Sequence, residues 1–587
     1  MPYRHRSVVR DMAEPLPSPK SQSTAEPGDT ATPAGRPQTT LARHANLFSS
    51  LTLLSRIFGL LRDKACSYFL GVGTTWSAFW MGFQFPNLFR RIFGEGALTA
   101  VFLPVYTRMR QERGQAAADQ LARSVIGLLV LTLTTITVIG EAIVLPIAFS
   151  HTVLPANHLA AAMIAIMLPF SIAVCLVALL AAIATAYDRF AAQAVAPIIT
   201  NVAMMLGAAV PVWVWSRHYS LTHRIYWVAG AVLISGVLQA ILLAASVRRT
   251  GFRWRGALAW HGDGVREIVT RMAPMILGLS AVQLNTFLDS QIAWWFSPDG
   301  HGGRTAFSIA GLLVHVPMVA GALGKLSVAQ RIYLLPVGVF GVATATVIFP
   351  RLSEAGANQD AARTGELLRM GLRRSLFISL PTTLGMILIA QPLITAIYLG
   401  GHVNAADVAQ AVWTARWFCI GIWAFEMQMI LVRVFYAWRD AITPMKVAVG
   451  MVLLNITLNL TLIWLMQEGG IAASTSISAM VQCAILLFIL RRRMALEKLG
   501  EVAQMAGKSL LGAIMMLAAG WAFFLMMRHS ALLNALPRWL EAVIELLVLV
   551  PTSALIYGLL MRAMNMPELA DVPILRRLAK PLSRDGR

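Results

Sequence analysis

From position 47 almost to the end, long apolar runs follow one another, separated by short polar connections. The hydrocarbon core of a bilayer is about 30 Å thick, which a helix of roughly 20 apolar residues crosses. The pattern predicts fourteen such helices, over 47–70, 76–106, 121–149, 159–186, 193–216, 225–247, 268–296, 327–350, 371–398, 408–436, 444–466, 470–490, 508–527 and 538–562. Several exceed the minimum length, as tilted helices projecting from the membrane would. Before them, residues 1–46 are polar and rich in Pro, Ser and Thr, without the apolar core of a signal peptide. They read as a disordered tail.

The connections alternate in charge. The second, sixth, eighth and twelfth are rich in arginine, among them Arg108, Arg253, Arg373 and Arg492, whereas 71–75, 150–158, 399–407 and 467–469 hold no Lys or Arg. The positive-inside rule then puts both termini in the cytoplasm, as an even number of spans also demands. This explains a net charge of +21 without nucleic acid. With 57% hydrophobic and 13% charged residues, and a mean hydropathy of +0.65, the chain is an all-α polytopic membrane protein. Cys66, Cys175, Cys419 and Cys483 all lie in apolar runs, as small buried hydrophobes would, and no paired spacing suggests a disulfide or metal cluster.

Two landmarks recur. FGEGALTAVFLP (93–104) resembles FGVATATVIFP (340–350), and their final prolines are 246 apart. AYDRFAAQAVAP (186–197) resembles FYAWRDAITP (435–444), with prolines 247 apart. Nearly one offset for both indicates duplication of a six-span unit. Six is even, so the halves are parallel repeats, a transporter architecture with its site between them. The expected organisation is a tail (1–46), a first lobe (47–250), a second lobe (251–495), a two-helix appendage (505–565) and a second tail (566–587).

Charges inside these spans are costly, about 2.5–3.5 kcal/mol for an arginine at mid-helix on insertion scales. The first two spans nevertheless carry Arg56, Arg62, Arg90 and Arg91, with Asp63 and Glu95 close by; span eight adds Arg331. The economical reading is an interior cavity lined with positive charge, suited to an anionic substrate. A guanidinium keeps its charge and grips phosphate through two parallel hydrogen bonds. Asn87 follows a mid-span proline, Pro86, where a helix bends. In the other half, Asp289, Asn455, Asn459 and Thr475 offer oxygen ligands to Na⁺, or Asp289 offers a proton site; asparagine pairs also simply join helices. No nucleotide, metalloprotease or nucleophile motif is present in the sequence.

The runs SRIFGLLRD (55–63), PNLFRRIFGEGALTAVFLPVY (86–106), GVFGVATATVIFPRLS (338–353) and FYAWRDAITPMKV (435–447) resemble those of the bacterial MurJ (MviN) lipid II flippases, in the multidrug/oligosaccharidyl-lipid/polysaccharide exporter superfamily. The resemblance spans roughly 45–565. It implies two lobes around a cationic cavity, a groove for the undecaprenyl tail on the last two helices, and no enzymatic chemistry. It implies substrate contacts at Arg56, Arg62, Arg90 and Arg331, with Asn87 and Glu95 at family positions. Lipid II and membrane lipids are the implied partners, with cell-wall synthesis proteins as further candidates. No organic cofactor is implied; Na⁺, a proton gradient or the membrane potential would drive transport. Ser77 and Gln330 stand where many members carry Asp, and Asn459 stands where an Asp of the Na⁺ site is expected. The alternatives are a drug or polysaccharide exporter of the same superfamily, a membrane enzyme acting on polyprenyl-phosphate lipids, and a scaffold that has lost transport.

Overall fold

The computed structural model describes residues 38–150, 154–214, 220–256, 262–309, 312–494 and 499–571, without the side chains at 38–49, 52–53, 94–100, 263, 273–282, 309, 312, 342–343 and 571. The chain divides into two units, Met1–Leu47 and Phe48–Arg587, and the packing, cavities and site all lie in the second. The tail expected over 1–46 lies outside the described residues up to position 37, as does the second tail from 572.

Helix follows helix. In order they are α1 (Gln38–Leu70), α2 (Thr74–Phe89), α3 (Leu98–Phe149), α4 (Pro155–Met167), α5 (Phe170–Thr185), α6 (Ala191–Val214), α7 (Leu221–Arg248) and α8 (Asp263–Trp295). A short antiparallel hairpin follows, β1 (Ala306–Ile309) with β2 (Leu312–His315). Then come α9 (Ala322–Pro336), α10 (Val342–Ala357), α11 (Ala361–Tyr398), α12 (Ala405–Ile420), α13 (Ile422–Ala437), α14 (Ile442–Met466), α15 (Glu468–Met494), α16 (Leu499–Arg528), α17 (Ala531–Asn534) and α18 (Arg538–Ala563). In lipid every backbone polar group must find its partner within the segment, which is why apolar runs of this length become helices.

Among the described residues, ten helices are long and apolar enough to cross a membrane, or eleven if the bent pair around 341–344 is one span. The expected spans 47–70, 76–106 and 268–296 are helical but are not among them. Charged residues are the reason in the first two: Arg56, Arg62, Asp63 and Lys64 interrupt one, Arg90 and Arg91 the other. Large apolar side chains such as Val138, Ile143, Leu465 and Leu547 are more than 60% exposed, as suits contact with acyl chains.

The expected continuous helix over 76–106 is interrupted. A π-helical turn, Arg90–Ala97, joins α2 to α3, and a second, Val337–Gly341, joins α9 to α10. The two carry the repeated FG motif, Phe93–Gly94 and Phe340–Gly341, and each follows a proline, Pro86 or Pro336. The second landmark repeats too: Asp188 and Arg439 both take φ of 58°, ending the helix before them. Duplication is therefore visible in backbone irregularities as well as in letters.

α6 packs on α7 as α14 packs on α15, and α16 and α18 lean on α11. Glycine allows the closest approaches: a Cβ on Gly82 of α2 would lie 2.6 Å from the backbone carbon of Met163 in α4. At the charge-poor face the two halves are locked together. The His402 N–H donates to the Tyr68 carbonyl at 3.2 Å and Lys64 Nζ to the Leu399 carbonyl at 2.9 Å. Thr74 Oγ1 donates to Asp299 at 2.6 Å, and Asp299 also accepts the Gly321 N–H at 3.0 Å. Trp294, expected in an interface belt, is instead 1% exposed and donates to Asn157 at 3.1 Å; Trp295 beside it is exposed. The four cysteines are buried and free.

Candidate functional site

The arginines do not line one open space. Arg62 and Arg331 meet on a single carboxylate. Asp63 of α1 accepts from Arg62 at 2.9 Å on one oxygen and from Arg331 of α9 at 2.7 Å on the other. Arg62 also donates to Asn201 of α6 at 2.9 Å, and the Arg331 guanidinium lies over the Trp80 ring at 5.2 Å. Arg62 is eight residues from the end of α1, and Arg331 nine from the start of α9. At 1.5 Å per residue both sit about 12–14 Å below the charge-poor ends of their helices, close to mid-membrane.

The expected wide cationic cavity is not found at this depth. Asp63, Ser67, Trp76, Trp80, Ser327, Arg331 and Tyr398 surround only about 10 Å³, room for one water. The reason is the closure just described. Ser77 is fully buried on α2 and accepts the Gly324 N–H of α9 at 3.0 Å, so these helices touch. A hydroxyl thus does at Ser77 the hydrogen bonding that an aspartate would do with an added charge.

The remaining expected residues fall nearby but separately. Arg90 donates to Asn87 at 2.8 Å, one turn back on the same helix. Arg91, expected to point away from the interior, reaches α8, donating to Gln283 at 2.8 Å. Arg56 is exposed, its Nη2 3.8 Å from where a side chain on Gly338 would begin, beside the second π turn. The Glu95 side chain lies outside the described residues.

The second constellation does come together. Asn459 Nδ2 donates to Asp289 at 2.6 Å and to Asn455 Oδ1 at 2.9 Å, joining α14 to α8. Thr475 of α15 lies 3.4 Å from both Asp289 and Asn455. Asn285, not singled out in the sequence, lies 3.4 Å from Asp289. Asp289, Asn455 and Asn459 are all under 3% exposed.

Sequence reading missed other participants. Asn201 and Trp80 hold Arg62 and Arg331; the polar Asn201 in an apolar run was a visible signal, and Trp80 among many tryptophans was not. Glu426 is 1% exposed in α13 with one carboxylate oxygen unpartnered, and a lone acid in IWAFEMQMILV was also visible. Outside the membrane, burial and then the Arg224 guanidinium hold His402 below its usual pKa.

The family model of the lipid II flippase MurJ matches residues 66–538. The chain belongs to the MurJ family. Its relatives include a Burkholderia cenocepacia protein named lipid II flippase MurJ, 28% identical over 76% of this chain and 83% of that one. A Vibrio cholerae protein named probable lipid II flippase MurJ is also 28% identical, over 76% and 82%. A solved MurJ structure in an inward closed conformation aligns with a TM-score of 0.67 at 21% identity, covering 88% of this chain and 99% of its own. An inward-facing MATE-family multidrug transporter of the MOP superfamily aligns at 0.59 and 14%, covering 77% and 99%, so the fold is shared beyond the family. This MurJ-family chain is therefore a multi-pass protein of the bacterial inner membrane.

Proposed function

We propose that the chain carries lipid II, the undecaprenyl-diphosphate-linked peptidoglycan precursor, from the inner to the outer leaflet by alternating access. The observation that carries this reading is the sharing of Asp63 between Arg62 and Arg331, one from each half of the molecule. The three side chains sum to one positive charge; Arg56 and Arg90 raise it to three. A diphosphate competes with Asp63 for the guanidiniums. Once it takes them, the carboxylate no longer ties α1 to α9, and the halves part at the charge-poor face. Substrate binding and opening thus compete for the same bonds, giving the differential affinity a population shift requires. The lipid tail stays in the bilayer on the side of α16 and α18. Both termini face the cytoplasm on this reading, and cell-wall synthesis proteins are the expected neighbours.

The test is rescue of a bacterium depleted of its own flippase. The chain restores growth, and Arg62→Ala, Arg331→Ala, Arg56→Ala and Arg90→Ala lose it at normal membrane levels. Rescue by all four variants overturns the role of the arginines. A wild type that neither rescues nor moves labelled lipid II in vesicles overturns the cargo. Organic-cation export, the exporter alternative, suits this positive cluster poorly.

A second proposal concerns the driving ion. Asn459 Oδ1 is buried without a hydrogen-bond partner. An orphaned oxygen beside a buried carboxylate, a second amide and a hydroxyl fits a small hard cation. Asp289, Asn455, Asn459 and Thr475 would hold Na⁺, which would supply only charge to Asp289. The protein's part is to bring α8, α14 and α15 together around it.

A further inference from the structure

The largest cavity in the described residues is not at the central cluster. It lies between α11, α12, α16 and the segment from α17 into α18, with a volume of about 550 Å³. Its polar lining includes Gln391, Arg416, Arg528, Arg538, Glu541 and Glu545. At about 30 Å³ per water that is room for roughly eighteen waters, ample for a phosphodiester and its amine.

Three facts point to an occupant. Arg416 is eleven residues into α12, so its charge is about 16 Å below the charge-poor end of that helix. It has no carboxylate partner among the described residues, its Nε is buried without a hydrogen bond, and only the Trp521 ring, 5.8 Å away, faces its charge. An intramembrane arginine left like this marks a binding site by default. Next, Glu545 on α18 is 2% exposed, and its Oε1 is 3.7 Å from Arg528 Nε, beyond hydrogen-bond length. The pocket therefore holds an under-satisfied cation and an under-satisfied anion. Finally, its walls continue into bare apolar surface: Leu510, Leu511, Ile514 and Met515 on α16, and Leu547, Val550, Leu555 and Leu559 on α18, are all exposed.

We propose that this pocket binds a zwitterionic phospholipid of the phosphoethanolamine class from the leaflet at the charge-poor face. The phosphate sits on Arg416, with Arg538 at the rim. The ammonium sits on Glu541 and Glu545. The acyl chains lie along α16 and α18. A purely anionic lipid satisfies the arginines and leaves Glu545 facing a like charge; an apolar ligand satisfies neither. The site is separate from the central cluster and does not depend on what that cluster transports.

The experiment is native mass spectrometry of the full chain released from bilayer discs of equal phosphatidylethanolamine and phosphatidylglycerol. Wild type retains phosphatidylethanolamine in preference. Arg416→Gln lowers that retention about tenfold, and Glu545→Gln lets phosphatidylglycerol bind equally well. Arg538→Gln, at an exposed residue with no ion pair, lowers retention severalfold without touching the fold. Each variant is checked for an unchanged Tm and a single size-exclusion peak. Equal retention by wild type and all folded variants overturns the proposal. So does a wild-type preference for phosphatidylglycerol, or complete displacement of the lipid by millimolar inorganic phosphate, which would make it a free-phosphate site.

Discussion

Removing the charge of Asp63 should open the charge-poor face. In Asp63→Asn the bond to Arg62 stays within α1 whether the halves are apart or together, so it drops out of the comparison. The bond to Arg331, 2.7 Å long and crossing between the halves, does not. A hydrogen bond to a charged group contributes about 1.5–3 kcal/mol. The Arg331 side chain is 28% exposed and an asparagine oxygen still accepts weakly, which favours the lower end. At 1.4 kcal/mol per factor of ten, the open population rises roughly tenfold. Ser67 reports on it: it is 2% exposed and lines the small space beside Asp63. With all four native cysteines buried, a Ser67→Cys protein carries one informative thiol. Its rate of labelling by a membrane-impermeant maleimide, applied from the charge-poor side, should rise about tenfold when Asp63→Asn is added. An unchanged rate in a monodisperse protein would refute the view that this ion pair holds the halves closed.

Other perturbations reach the same closure and the second constellation. Gly401 has φ of +60°, and a Cβ there would lie 2.1 Å from the Tyr68 carbonyl oxygen, so Gly401→Ala should force the face apart and speed Ser67→Cys labelling as Asp63→Asn does. His402 is held below the usual value near 6.5 by burial and Arg224. The open form then binds its proton at higher pH than the closed form. Closure is at full strength above about 6.5 and weakens as pH falls through the lowered pKa. The ratio of labelling rates between the His402 and His402→Gln proteins, which cancels the thiol's own chemistry, should rise at pH 5.5 relative to 7.5. If Na⁺ binds at Asp289, Tm is higher in NaCl than in choline chloride; at tenfold over the dissociation constant the gain is about 1.4 kcal/mol, and Asp289→Asn abolishes it. Equal Tm values in both salts would remove Na⁺ from the account.

The apolar runs made the helices legible, because a bilayer leaves a chain little alternative. The repeat was legible in its prolines and FG pairs. The constellation of Asp289, Asn455, Asn459 and Thr475 was legible because four polar side chains in apolar spans have few places to go. The arrangement of the arginines was not. Nothing in SRIFGLLRD says that Asp63 reaches past Arg62 to Arg331, 268 positions on; that depends on how α1 and α9 approach, and so on the closure at Gly401 and Ser77. The π turns were hidden for a related reason. A proline announces a bend, but whether the freed backbone relaxes as a kink or as a wider turn is decided by packing. The pocket at Arg416 escaped notice because it needs α17 and the start of α18, which hydropathy treats as a mere connection.

The wider turn at Arg90–Ala97 sets a phase relation along the polypeptide. A π turn spends more residues per revolution than an α-helix, so it acts as an insertion whose register is absorbed locally. Deleting one residue inside it should let regular α-helix form, with every hydrogen bond still made. Everything downstream would then be rotated by about 100° and shifted by about 1.5 Å. Tyr106 would leave its buried place, and Arg108 would turn away from Glu267. A deletion scan should therefore find a short window where the protein still inserts and folds its first helices but is out of step with itself beyond them.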